Sequence, residues 1–180
     1  MNTRLRSLTL LASLLLCMPA LAAAPNEAVA KPVKTVVQSV RLSKDDPALK
    51  QLADEEMGHF LLGEDWTKGT DAQRKEFTQL FHSLFAKIAF PKVRENFKNL
   101  QSITYDAPTV EGDKGNVSSL VIINHPMKKQ EMKLKYAVVK DANAWKVLDV
   151  FVLGDSMLTG IRDDRCAPSS SRAAGTTCST

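Results

Sequence analysis

Phe77-Thr78-Gln79-Leu80-Phe81-His82-Ser83-Leu84-Phe85-Ala86-Lys87-Ile88 sets its large apolar residues three or four positions apart, the period of a helix face. Met132-Lys133-Leu134-Lys135-Tyr136-Ala137-Val138 sets them at every second position, the period of a strand with one buried face. The fold class turns on where one period gives way to the other, and that point is near Leu100.

Upstream of Leu100 every signal is helical. Thr70-Asp71-Ala72-Gln73 is a capping box, in which the threonine hydroxyl and the glutamine side chain each serve an unpaired backbone donor. The helix it opens carries Phe77, Leu80, Phe81, Leu84, Phe85 and Ile88 on one broad face, with Arg74, Lys75, Glu76 and Lys87 mainly off it. Pro91 interrupts, and Val93, Phe97 and Leu100 predict a further short helix. Asp46-Pro47 predicts an earlier start, an N-cap then proline in the first turn. Its stripe, Leu49, Leu52, Ala53, Met57, Phe60 and Leu61, runs to a cap at Gly63. Val33, Val36, Val37 and Val40 predict a helix from Pro32, and residues 25–31 read as a flexible lead.

Downstream the signals are those of strands. Ile103 and Tyr105 predict one ended by Pro108, and Glu111 to Asn116 a turn. Val117 to Ile123 and the stretch around Met132 to Val138 are the next two. After Asp141-Ala142-Asn143 the last strand puts Trp145, Val147, Asp149, Phe151 and Leu153 on one face, with Val150 and Val152 on the other. Helices first and a meander afterwards is an α+β layout: N-terminal helices packed on a curved antiparallel sheet of about four strands.

The chain's first residues predict export. Arg4 and Arg6 precede a leucine-rich run from Leu8 to Leu16, then Pro19 and the small residues Ala20, Ala22, Ala23 and Ala24. Positive start, short apolar core and A-x-A end are the parts of a cleavable signal peptide, here residues 1–24. The run is shorter than the roughly 20 apolar residues a spanning helix needs. Removing 24 of 180 residues leaves 156, one domain's worth, with 22 basic against 20 acidic side chains. That near balance argues against nucleic acid as a partner. Residues 32–162 make the domain, and 163–180, with no large apolar residue, predict a disordered tail. Cys166 and Cys178 lie in that tail, where a bridge would close a loop with nothing to pack.

No catalytic residue and no metal site can be assembled. Glu56 and His59 form one i, i+3 pair, and a di-metal helix site needs a second that is missing. His82 sits beside an apolar helix face, and His125 precedes Pro126 in a turn. G-x-S-x-G, H-E-x-x-H and phosphate-cradling glycine loops are absent. Asp149, on an apolar strand face, reads as an acceptor for backbone or arginine donors rather than a catalytic acid.

What the sequence has in surplus is apolar surface. Val121-Ile122-Ile123 and Val150-Phe151-Val152-Leu153 are apolar on both strand faces, and both must be covered. A dimer, a pocket for an apolar ligand between sheet and phenylalanine helix, or an ordinary filled core would each do so. The candidate pocket lining is Phe81, Leu84, Phe85 and Ile88 from the helix, with Phe97, Val121, Tyr136, Val138 and Phe151 around it. Lys133 and Lys135, on the outward face of one strand, are candidates for docking acidic partner surfaces or anionic headgroups, with a merely solvated strand face as the alternative.

A resemblance sharpens this. Leu62-Gly63-Glu64-Asp65-Trp66, followed by Thr70, Gln73, Phe77 and Phe81, is similar to the "LG-x-x-W … T-x-x-Q-x-x-x-F-x-x-x-F" stretch of the MlaC, or toluene-tolerance, family. Trp145-Lys146-Val147-Leu148-Asp149-Val150 resembles its "W-K-V-x-D-V" strand, and Gly154-Asp155-Ser156-Met157-Leu158 its "G-x-S-L" turn. Arg162 stands at the place of its "Y-R" arginine, and the likeness runs from about Val33 to Arg162. It implies a periplasmic, non-enzymatic phospholipid carrier, an ABC transporter auxiliary component that needs no cofactor because the lipid is cargo. The implied partners are an outer-membrane lipoprotein complex and an inner-membrane MCE-domain/ABC transporter complex, between which lipid moves to keep the outer membrane asymmetric. Each buried methylene is worth about 0.8 kcal/mol, so two chains of roughly 16 carbons amount to about 25 kcal/mol gross, which a carrier must nearly match. The chain departs from the family where Gly160-Ile161 replaces Asn-Tyr, in a shorter segment between Val40 and Met57, and beyond Arg162, where the usual closing helix is missing. A degenerate, docking-only relative and an enzyme on a similar scaffold, using Asp149 and a histidine, are the competing readings.

Overall fold

The computed structural model describes residues 25–125 and 128–166. The predicted signal peptide, residues 1–24, and the tail beyond Cys166, with Cys178, lie outside the described residues. Among the described residues seven α-helices and six strands follow one another: α1 (Pro25–Arg41), α2 (Asp45–Leu49), α3 (Asp54–Leu62), α4 (Glu64–Lys68), α5 (Asp71–Leu84) and α6 (Phe90–Asn96), then β1 (Leu100–Tyr105), β2 (Thr109–Glu111), β3 (Lys114–His125), β4 (Lys128–Asp141), β5 (Ala144–Val152), β6 (Asp155–Ser156) and α7 (Met157–Cys166). A π-helical turn, Phe85–Ala89, joins α5 to α6 without a break. The sheet is antiparallel in the order β1-β3-β4-β5-β6, with β2 also on β3. The expected α+β architecture is present. The strand count exceeds the expected four because β2 and β6 are too short to show a period.

The lead expected at residues 25–31 is helical. Val29 and Ala30 are buried with Val33, Val37 and Val40, a row at helical spacing. The helix runs through Pro32, whose missing N–H costs one bond. Close packing of Val29 near Gly115 of β3 is among the contacts that offset it. The single helix expected from Asp46 is two. Ala53 N–H donates to Val147 O at 2.9 Å and Val147 N–H to Gln51 O at 2.7 Å, so Gln51–Ala53 lies along the open edge of β5. Lys44, not Asp46, is the residue before the first turn of α2, and it makes no side-chain cap. Gly63 does end α3, at φ +57°, a conformation that favours glycine.

A β-bulge sets the faces of β5. Val138 pairs with Val147 but Ala137 with Asp149, leaving Leu148 as the extra residue. Val150 and Val152, opposite Tyr136 and Leu134, thereby join the core. Phe151, opposite the exposed Lys135, turns outward. The regular alternation expected from Trp145 to Leu153 fails at that one residue. At the C-terminal end α7 continues through Asp163 to Cys166, so the tail expected from 163 begins in a helix.

Candidate functional site

The residues of the "W-K-V-x-D-V" and "G-x-S-L" fragments build a joint. The Asp149 carboxylate accepts from Val150 N–H at 2.7 Å, from Ser156 Oγ at 2.5 Å and from Leu158 N–H at 3.1 Å. Ser156 Oγ accepts in turn from Thr159 N–H at 3.0 Å, capping α7. Asp149 is thus an acceptor for backbone donors, as its strand position suggested. Arg162 of α7 lies 4.8 Å from the Phe60 ring centroid. A Cβ at Gly160 would meet open space, so the side chain that the family carries there has room.

The residues of the "LG-x-x-W" fragment anchor a row of aromatic rings. Trp66 is buried and donates through Nε1 to Glu55 Oε1 at 2.8 Å. Gly58 lies so close beneath it that a Cβ there would come within 2.5 Å of the indole. From Trp66 the rings of Phe77, Phe81, Phe85 and Phe90 follow at centroid separations of 5.7, 5.6, 4.8 and 5.7 Å. The first three phenylalanines are four residues apart and the last is five, because the π-helical turn adds one residue between them. The capping box starts this helix: Gln73 N–H donates to Thr70 Oγ1 at 3.3 Å and Thr70 N–H to Gln73 Oε1 at 2.8 Å.

Of the predicted lining, the fold brings six residues together. Phe81, Val121, Tyr136 and Val138 are buried in one contiguous cluster, and Phe85 and Phe97 pack against it. Three others are elsewhere. Leu84 is 43% and Ile88 60% exposed, in line with Leu80 on the row beside the aromatic one. Phe151 faces outward, its ring 5.8 Å below the Lys135 ammonium. One polar pair interrupts the apolar wall, Tyr136 Oη and Ser119 Oγ at 3.3 Å. Burial raises the Tyr136 phenol, opposed by the Ser119 hydrogen bond. Tyr105 is pushed up to about 12 by burial, with Tyr136 adding to the rise and Arg41 opposing it. Both phenols therefore stay neutral at physiological pH.

Two of the histidines pair with carboxylates of α3. His82 Nε2 meets Asp54 Oδ1 at 2.7 Å, tying α5 to α3. His59 pairs with Glu55 at 3.5 Å rather than with Glu56. Among the described residues no group of three or more His, Cys, Asp or Glu could hold a metal. No helix among them is long and apolar enough to cross a membrane.

A cleft that sequence reasoning missed opens between the end of α1 and α6. About 430 Å³ in volume, it is lined by Gln38, Arg41, Leu42, Arg94, Phe97 and Lys98. Only Phe97 belongs to the predicted lining. Arg94 and Lys98 stand one helical turn apart, too common a pattern to signal a site.

Fold and wall together define a small α+β protein whose helices and sheet share one aromatic-rich apolar interior. The family model described as MlaC protein matches residues 35–164, and the chain belongs to the MlaC family, whose members are non-enzymatic lipid-binding carriers. A phospholipid-binding protein from Ralstonia solanacearum, solved in complex with a phospholipid, has the same fold: TM-score 0.60 at 19% identity, over 79% of this chain and 85% of that one. An NTF-2-like protein of unknown function from Shewanella oneidensis aligns over 72% of this chain and 98% of its own, at 9% identity and TM-score 0.42. No curated protein matches the sequence.

Proposed function

We propose that this chain is a periplasmic phospholipid carrier, exported by residues 1–24. It would move lipid between an outer-membrane lipoprotein complex and an inner-membrane MCE-domain/ABC transporter complex, maintaining outer-membrane asymmetry. Membership of the MlaC family over residues 35–164 carries this reading. The phospholipid in the Ralstonia relative supports it. The acyl chains would lie along Phe81, Phe85, Phe97, Val121, Tyr136 and Val138, with the exposed Leu84 and Ile88 at the side where lipid enters. Lys133 and Lys135 would meet the acidic surfaces of the membrane-anchored partners.

A specific observation favours a second reading. Val121 is fully buried in a continuous cluster with Phe81 and Val138. Chains entering between them must part helix from sheet, at a cost that lipid burial has to offset. A protein that stays closed would dock partners without enclosing lipid. Native mass spectrometry of the exported protein separates the two. The carrier retains close to one phospholipid per chain, whereas lipid-free protein that also takes none from vesicles would leave only docking.

A further inference from the structure

We propose that the α1–α6 cleft binds the phosphate end of an anionic amphiphile, so that this chain prefers lipids with a net negative headgroup to zwitterionic ones. The inference rests on the carrier reading and assigns a headgroup class to it. The cleft's size, about 430 Å³, falls within the range of small-ligand sites. Of its six lining residues three are cations and none is acidic.

The cations are not equally available. Arg94 donates to Asp45 Oδ1 at 2.6 Å, both side chains being about three-quarters covered, which fixes its guanidinium at the wall. Lys98 reaches Glu95 at 2.7 Å, but both are mostly exposed and such a pair is weak. Arg41 makes no ion pair and no side-chain hydrogen bond among the described residues. Asp45 and Glu95 thus balance two of the three cations, and one positive charge remains, on the side chain whose planar fork suits a phosphate. A phosphodiester carries one negative charge. The ammonium of a zwitterionic headgroup would bring a second positive group into an already cationic cleft, whereas a glycerol headgroup would not.

Apolar surface lies at the same place, and it points to an amphiphile rather than a free ion. Leu42 is 57% exposed, and Phe97 packs against the core cluster that contains Phe81 and Val121. A chain leaving the phosphate would meet Phe97 first and the aromatic wall beyond it.

The test presents the delipidated, exported protein with vesicles holding equal phosphatidylglycerol and phosphatidylcholine of matched chains. The protein is then recovered and its bound lipid counted by mass spectrometry. At low salt the wild type should be enriched in phosphatidylglycerol by roughly fivefold, the scale of one exposed charge-assisted contact. Arg41→Gln, which removes a charge that makes no ion pair or side-chain hydrogen bond, should bring the ratio close to one while the protein still folds cooperatively, its melting temperature lowered by no more than the loss of one last-turn helix cation. Equal loading by the wild type, or unchanged enrichment in the variant, overturns the headgroup assignment while leaving carriage intact. Failure to load either lipid overturns the carrier reading and this inference with it. Inorganic phosphate serves as the competitor: loss of enrichment at millimolar phosphate would reassign the cleft to the free ion.

Discussion

At the scale of single residues, the family-like fragments are positions where one side chain serves several neighbours. Asp149 collects three donors, two of them from β6 and α7. Removing it leaves the Leu158 N–H and the Ser156 hydroxyl without an acceptor beside a covered strand. Asp149→Ala should therefore cost about 1–3 kcal/mol in denaturant unfolding. Asp149→Asn, which keeps an acceptor oxygen, should cost less. Equal stability of all three proteins would show that the joint contributes nothing. The acceptor role of Asp149 was legible from its place on an apolar strand face. Its partners were not, because a bulge at Leu148 and a two-residue turn at Leu153-Gly154 bring Ser156 to it.

At the scale of elements, α5 shows what periodicity resolves and what it blurs. Six apolar residues between Phe77 and Ile88 announce a helix with a broad apolar face, and the capping box announces its start. The structure divides that face into two rows. Phe77, Phe81 and Phe85 turn inward and hand on to Phe90, while Leu80, Leu84 and Ile88 stay exposed. Substitutions on the two rows should separate. Leu84→Trp and Ile88→Trp meet solvent and should change stability by no more than about 0.5 kcal/mol. Phe81→Trp and Val121→Phe overpack a filled interior and should cost about 1–3 kcal/mol. If the outer row is where lipid enters, both Trp variants should also lower phospholipid occupancy several-fold. Full occupancy in both would take Leu84 and Ile88 off the lipid's path.

At the scale of the whole molecule, the sheet has one face against the helices and a charged outer face along β4. Lys133 and Lys135 are exposed there, opposite Leu120 and Ser118 of β3. Lys146 does not join them, since its ammonium donates to the carbonyl of Lys50. Charges at a rim mainly set encounter rate and salt dependence. If the proposed membrane-anchored partners dock on this face, reversing both to glutamate should slow their association at low salt, with the difference shrinking as salt rises. An unchanged on-rate at low salt would mean the face is merely solvated.

The order of helices and strands, the change of period near Leu100, the capping box at Thr70 and the family suggested by scattered fragments were all legible along the chain. These are local properties, written in spacing and in the chemistry of neighbours. Tertiary structure alone decided which side of each element became interior. Two single-residue insertions, the π-helical turn after Leu84 and the bulge at Leu148, rotate everything beyond them, and period counting assumes that no such rotation occurs. The α1–α6 cleft also needed the fold. Arg41 and Arg94 are far apart in the chain, and only the packing of α6 on α1 puts their charges in one place.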